Sequence, residues 1–284
     1  MSNQKCNVNK KNSLFQAAAF KIRKSNSIIK MFANYMLNRF GSLTATKSVR
    51  EWLYDGYDDP LLDFLKSLNT SRFDIPFKRF GWFVERNNSK TYDGHFEMTT
   101  GESDVTSMGQ LTMWNYHNRT KFYHDGCSTV KGTSGELWPP NMNATGDITL
   151  FVTDVCRPLT LAYQEPYESF GVTGSKWVGD YRVFDNGQKY PPNLCYCTGD
   201  RSCCPDLLPG VQNVSDCMYG APAFVSFPHF YLADPSYAQA VSGLKPNRSE
   251  HEFIIALEPH TGIPLDIKAR LQINLHLQPI KGLE

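Results

Sequence analysis

The sequence predicts an α+β protein in which a small helical cluster precedes a mainly antiparallel β region. Three observations favour this class. Apolar residues within residues 14–40 recur at helical spacing. From Phe80 onward, Gly, Pro and Asn interrupt the chain about every ten residues, as they do between short strands. Near the C-terminus, apolar and polar residues alternate throughout residues 267–278.

The helical part is predicted to contain several short helices. Residues 14–24 form an Ala-rich helix, and a second helix follows Ser25-Asn26-Ser27. Ser48 and Glu51 have the spacing of a capping box, and Asp59-Pro60 provides an N-cap and first-turn proline for residues 61–68. The apolar stripe of the second helix consists of Ile28, Met31, Phe32, Tyr35 and Met36.

The predicted organisation therefore has three parts. Residues 1–13 are polar and are expected to be disordered, residues 14–68 are helical, and residues 69–284 are mainly β. The clearest strand covers residues 267–278, where strict alternation predicts one buried and one solvated face. This strand is expected to pair with residues 253–258 across a turn at residues 259–262, and long antiparallel strands suit a barrel.

Cysteine is concentrated in one window, because five of the eight cysteines lie between Cys195 and Cys217. Such density indicates either a metal site or a disulfide framework. The spacing is Cys-x-Cys followed by a vicinal pair, with no histidine between Gly187 and Cys217, which does not match the paired spacing of zinc sites. We therefore predict disulfides. The pairing of six cysteines cannot be assigned from composition, and Cys6 has no evident partner.

Glycosylation sequons support an oxidising compartment. The motif Asn-x-Ser/Thr occurs six times, and N-linked sugars are added in the secretory pathway, where disulfides persist. The polar start has no apolar signal-peptide core, and no apolar run reaches 18 residues, so we expect the sequence to be a fragment of a longer protein. The predicted glycosylation sites are Asn69, Asn87, Asn118, Asn143, Asn213 and Asn247.

Charge is distributed unevenly along the chain. Residues 1–50 contain ten Lys and Arg residues and no acid, whereas the remainder contains 19 bases and 28 acids. The basic segment is either a solvated helix face or a surface that attracts anionic ligands. Its lack of acids also imitates an organellar transit peptide, but the downstream sequons argue against that reading.

Catalytic patterns are absent from the sequence. Gly132-Thr133-Ser134-Gly135 lacks the spacing of a nucleophile elbow, and His251-Glu252 stands without the rest of a zinc-protease motif. His229, flanked by aromatic residues, is interpreted as a structural, hydrogen-bonded histidine. We therefore expect no enzymatic activity, no catalytic residue, no cofactor, no metal site and no nucleic-acid partner.

Several segments, taken in order, resemble the CD36 family, also called the scavenger receptor class B family, which includes the fatty-acid translocase, lysosomal integral membrane protein and insect croquemort-like receptors. They are SVREWLYDGYDDPLL (48–62), KGTSGELWPP (131–140), LFVTDVCRPL (150–159), the cysteine window (195–217), SFPHFYLADPSY (226–237) and GLKPNRSEHEFIIALEPHTGIPLDIKARLQIN (243–274).

The resemblance implies a β-barrel ectodomain with an internal lipid tunnel and a helical apical bundle at residues 14–68, truncated here relative to the family. Members have a membrane span at each end, and both spans are absent from this chain. The implied location is the extracellular or lumenal face of the plasma membrane or lysosome. In the disulfide-rich region 127–217, the implied bonds are Cys127–Cys195, Cys156–Cys217 and Cys197 with Cys203 or Cys204.

The resemblance also implies a function. Family members bind lipids, lipoproteins or anionic particles at the apex and pass lipid toward the membrane. The expected ligands are fatty acids, phospholipids, lipoproteins, and apoptotic or microbial particles. The alternative, as in the lysosomal branch, is a trafficking receptor that binds a protein cargo. The apolar stripe could instead be ordinary core. The candidate ligand-entrance residues are Lys21, Arg23, Lys24, Lys30, Phe32, Tyr35, Met36 and Arg39.

Overall fold

The computed structural model describes residues 7–11, 19, 27–40, 44–60, 62–63, 78–197 and 207–276. The strands are β1 Asn7–Lys11, β2 Thr44–Ser48, β3 Phe96–Met98, β4 Leu111–Trp114, β5 Ile148–Val152, β6 Arg157–Ser169, β7 Val172–Val178, β8 Gln212–Asn213, β9 Ala223–Ser226, β10 Ile254–Glu258, β11 Ile263–Lys268 and β12 Gln272–Leu275. The α-helices are α1 Ser27–Phe40, α2 Pro235–Gln239 and α3 Arg248–His251.

Short helices of other types connect these elements. A π-helix covers Glu51–Asp55. The 3₁₀-helices are Val105–Ser107, Asp125–Ser128, Thr153–Val155, Tyr181–Val183, Pro191–Tyr196 and Pro228–Phe230. Because the strands pair in an antiparallel manner and the helices are few and short, the predicted α+β, mainly antiparallel class is confirmed.

The chain divides into two compact units. The first consists of Met1–Asp93, Met218–Ala223 and Leu275–Glu284, and it contains α1 and the antiparallel pair β1–β2. Strand β1 lies within the polar start that the sequence analysis expected to be disordered, and its backbone pairs with β2 from Asn7 to Lys11. The predicted helix at residues 14–24 lies outside the described residues except for Ala19, which is helical.

The predicted capping box begins the π-helix of the first unit. Ser48 N and Ser48 Oγ donate hydrogen bonds to the Glu51 carboxylate at 2.9 and 2.6 Å, and Glu51 N donates to Ser48 Oγ at 3.2 Å. The buried Trp52 that follows packs edge-on against Tyr57 and Phe80. These contacts anchor the helical turn in an aromatic cluster.

The second unit, Gly94–Cys217 with Phe224–Asn274, is built on a five-stranded sheet in the order β11-β10-β7-β6-β5. The central strands supply its core, because Leu159, Leu161, Trp177, Ile255 and Leu257 are at most 1% exposed. Irregularities in register occur in both β6–β7 and β10–β11, and such bulges increase local twist. The internal tunnel stays a prediction.

The long C-terminal strand predicted at residues 267–278 is wrong as a single element. Strand β11 forms the expected hairpin with β10, but it ends at Lys268, and β12 joins a different sheet in the order β12-β9-β8. Between the two strands, Arg270 Nη1 donates hydrogen bonds to the carbonyl oxygens of Ser249 and Glu252, both at 3.2 Å. This anchoring redirects the chain. Ile267 and Ile273 are 45% and 49% exposed, so the expected buried face does not form there.

Candidate functional site

Helix α1 presents apolar side chains to solvent. Met31, Phe32 and Tyr35 are 69%, 55% and 66% exposed, whereas Leu37 is only 4% exposed. The apolar stripe predicted from the sequence therefore faces outward along this part of the helix, and the helix packs through Leu37. Contiguous exposed apolar side chains of this kind mark interaction surfaces more often than isolated ones do.

Charged residues of α1 lie on both sides of this surface. Arg39 is exposed and follows Tyr35 by four positions and Phe32 by seven, so it shares their face of the helix. Lys30 is half-buried and precedes Leu37 by seven positions, so it lies on the packed side. Met36 is half-buried. The remaining entrance candidates, Lys21, Arg23 and Lys24, lie outside the described residues.

We call Met31, Phe32, Tyr35 and Arg39 the exposed α1 face. Three apolar side chains with a cation at the C-terminal end can contact acyl chains and an anionic headgroup together. Arg39 also suits its position because the C-terminal end of a helix carries partial negative charge. The arrangement binds by burial and charge and contains no catalytic geometry.

Two disulfides organise the second unit. Cys127 is bonded to Cys195 and Cys156 to Cys217, with Cα–Cα distances of 5.7 and 6.0 Å. These are two of the pairings that the family resemblance implies. Cys197 is also disulfide-bonded, whereas its two implied partners, Cys203 and Cys204, lie outside the described residues.

A buried arginine that the sequence analysis did not single out lies between these bonds. Arg157 is 3% exposed, its guanidinium stacks 3.5 Å from the centre of the Tyr196 ring, and it donates to the Val183 carbonyl at 3.1 Å. It also hydrogen-bonds the side chain of Gln212, which in turn donates to Tyr123 Oη at 3.2 Å. Burial lowers the pKa of Arg157 and raises that of Tyr123. The sequence signal was an arginine directly after a cysteine in an apolar strand.

His229 has the structural role predicted for it. Its Nδ1 accepts a hydrogen bond from Lys245 N at 3.0 Å, and its ring stacks on His251 with centroids 4.3 Å apart. His251 is 7% exposed, and its Nδ1 accepts from Asn247 N at 2.8 Å. Burial, followed by the neighbouring His229, lowers the pKa of His251. A proton on Nδ1 would break the bond to Asn247.

The sequons differ in accessibility. Asn87, Asn118, Asn143 and Asn247 are exposed, whereas Asn213 is half-buried in β8. Asn69 lies outside the described residues. Four of the predicted glycosylation sites therefore have room for a sugar in the folded chain.

Metal-binding and membrane-spanning features were sought in the described ranges alone. There, no three His, Cys, Asp or Glu side chains come together in a way that could hold a metal ion. None of the helices in the described part of the chain combines the length and apolar character that crossing a bilayer requires.

Comparison with known proteins gives the family. A family model described as the CD36 family matches residues 1–284. Protein peste of Drosophila melanogaster is 40% identical over 241 residues, which cover 85% of this chain and 42% of that protein. Scavenger receptor class B member 1 of Sus scrofa is 38% identical, covering 80% and 43% of the two chains. Lysosome membrane protein 2 of Homo sapiens is 32% identical, covering 84% and 47%.

These matches confirm the resemblance seen in the sequence. Antiparallel sheets, disulfides in the second unit and exposed sequons define an ectodomain-like class of protein. The chain belongs to the CD36 family. It spans about half the length of the curated relatives it matches.

Proposed function

We propose that the chain is part of a receptor ectodomain that binds lipids, lipoproteins or anionic particles through the exposed α1 face. The observation that carries this proposal is the exposure of Met31, Phe32 and Tyr35 beside Arg39 on one helix face. The similarity to proteins named scavenger receptor class B member 1 supports it. In this proposal the chain works on the extracellular or lumenal side of the plasma membrane or lysosome.

Elementary energetics support lipid binding without catalysis. Each methylene of an acyl chain that leaves water contributes about 0.8 kcal/mol. Burial of an exposed aromatic side chain such as Phe32 against the acyl chain contributes a further 1.5–3 kcal/mol, to order of magnitude, about. Arg39 supplies an always-charged, multiply donating partner for a phosphate or carboxylate headgroup. Affinity therefore grows with chain length and with negative charge.

The proposed path continues inward from the helical region. Residues 14–68 form the apical bundle, residues 69–284 form part of the barrel, and lipid moves through an internal tunnel toward the membrane. The five-stranded antiparallel sheet of the second unit is the element that supports a barrel wall. Spans that anchor the ectodomain belong to the whole protein in this proposal.

A second candidate function is a trafficking receptor whose apex binds a protein cargo. The 32% identity to human lysosome membrane protein 2 favours this alternative. An exposed apolar helix face with one cation suits a protein groove as well as a lipid surface. The two functions differ in whether anionic vesicles alone are bound.

Flotation with anionic phospholipid vesicles tests the proposal. Replacing Phe32 and Tyr35 with Ser removes the apolar contact, and we expect vesicle affinity to fall at least about tenfold. Tyr116→Ser is the matched control, because Tyr116 is 69% exposed and belongs to the second unit. Undiminished vesicle binding with loss of a protein partner would instead establish the trafficking function. Charge reversal, expected to weaken vesicle binding as well, is tested at Arg39, Lys21, Arg23 and Lys24.

A further inference from the structure

An open cavity in the first unit lies directly beside a glycosylation sequon. Its volume is about 360 Å³, and it is lined by Tyr54, Phe83, Arg86, Asn87 and Asn88. Asn87 is the acceptor of the sequon Asn87-Asn88-Ser89, so the residue to be modified is part of the cavity wall. The exposed α1 face shares none of these residues.

The floor of the cavity is aromatic and held in place. The rings of Tyr54 and Phe83 lie 6.0 Å apart with an interplanar angle of 34°, and Tyr54 is 48% exposed. Trp82 N and Phe83 N donate hydrogen bonds to the carbonyls of Trp52 and Leu53 at 3.0 and 2.7 Å. These bonds fix the segment that carries Phe83 against the π-helix that carries Tyr54. The platform therefore exists before any ligand arrives, which lowers the entropic cost of binding.

The side chain of Asn87 is aimed at this platform. Its Nδ2 donates a hydrogen bond to the Tyr54 carbonyl at 3.5 Å, and its backbone N donates to the Phe83 carbonyl at 3.0 Å. An asparagine amide has two N–H hydrogens, and attachment of a sugar replaces one of them. The other can keep the bond to Tyr54, so the first sugar starts at the edge of the aromatic floor.

Arg86 forms a polar side of the cavity. Its guanidinium stacks 4.5 Å from the Tyr92 ring centre, and Nη2 lies 3.1 Å from Asp93 Oδ1. An N-acetylglucosamine ring has one C–H face and a rim of hydroxyl and amide groups. A cavity with an aromatic floor and polar walls matches both parts of that sugar.

We propose that the first N-acetylglucosamine linked to Asn87 lies in this cavity, with its C–H face on Tyr54 and Phe83, and stabilises the first unit. In the linking step, the Asn87 nitrogen forms a bond to C1 of a lipid-linked oligosaccharide diphosphate. The C1–O bond to the diphosphate breaks, the diphosphate leaves, and the amide loses one proton. The inference needs passage through a glycosylating compartment but is independent of lipid binding by α1.

The test uses the 284-residue chain secreted from eukaryotic cells, with its glycans trimmed by an endoglycosidase to one N-acetylglucosamine per site. Asn87→Asp is compared with Asn143→Asp, since both lose one sugar and gain one charge at an exposed sequon. We expect Asn87→Asp to lower the melting temperature by about 2 °C or more, and Asn143→Asp to lower it by less than about 1 °C. In a Tyr54→Ala background the effect of Asn87→Asp should disappear.

Three results would overturn the inference: equal shifts for the two asparagine variants, an undiminished Asn87→Asp effect without Tyr54, or an Asn87 that carries no sugar. If Tyr54→Ala does not fold, NMR of the trimmed wild-type chain with ¹³C-acetyl-labelled sugar decides. We expect one acetyl methyl resonance to be shifted upfield by the aromatic rings and to vanish in Asn87→Asp. Acetyl methyl resonances that all have unshifted positions would contradict the docked sugar.

Discussion

Replacing Cys156 and Cys217 with alanine removes a bond that closes a loop of 61 residues. In the chain-entropy account, a loop of this length constrains the unfolded state by about 4 kcal/mol. The Cys127–Cys195 bond overlaps this loop and shortens its effective length, but the effect depends on the logarithm of length and lowers the value by only a few tenths, about. Alanine avoids leaving a buried hydroxyl at Cys156, which is 3% exposed.

Urea unfolding of the oxidised protein measures this effect. We expect the variant to lose about 4 kcal/mol in free energy of unfolding and its denaturant slope to rise, because the unfolded chain becomes more expanded. Cys127→Ala with Cys195→Ala should cost a similar amount, because that bond closes 68 residues. A loss below about 1 kcal/mol with an unchanged slope would refute the reasoning that this bond restricts the unfolded chain.

Three further predictions concern single sites. Stability should fall as pH drops below about 6.5, by at most about 1.4 kcal/mol per unit, because the unfolded chain binds the proton that folded His251 resists. Groups near His251 are His229, Glu250 and Arg270; a His251→Gln variant with the same slope of urea midpoint against pH would contradict this. Ser48→Ala should cost about 1 kcal/mol by thermal melting through loss of the capping box, and no loss would exclude that role. Glycopeptide mapping should find lower occupancy at half-buried Asn213 than at exposed Asn143, and the reverse order would contradict the accessibility argument.

The sequence predicted the elements whose signals are local. The second helix and the Ser48–Glu51 box were recognisable because helical spacing and capping depend on residues three or four positions apart. The hairpin of β10 and β11 was also recognisable from its turn and alternation. The outward orientation of Phe32 and Tyr35 was not, because periodicity shows that a face exists and not what lies against it.

Non-local contacts account for the rest. Alternation continued through residues 269–271, yet Arg270 binds two distant carbonyl groups there and the chain changes sheet. The disulfide pairs were not recoverable from spacing and followed only from the family resemblance. The neighbours of Arg157 come from β6, β8 and two 3₁₀-helices, so its burial became visible only in the folded chain.

Photocrosslinking tests most directly whether the exposed α1 face contacts lipid. Photoreactive benzoylphenylalanine replaces Tyr35 in one protein and Tyr116, of nearly equal exposure, in another. Each is irradiated with anionic vesicles that contain a labelled phospholipid. The account predicts a covalent lipid adduct at position 35 and little at position 116. Equal labelling of both positions, or none at position 35, would contradict it.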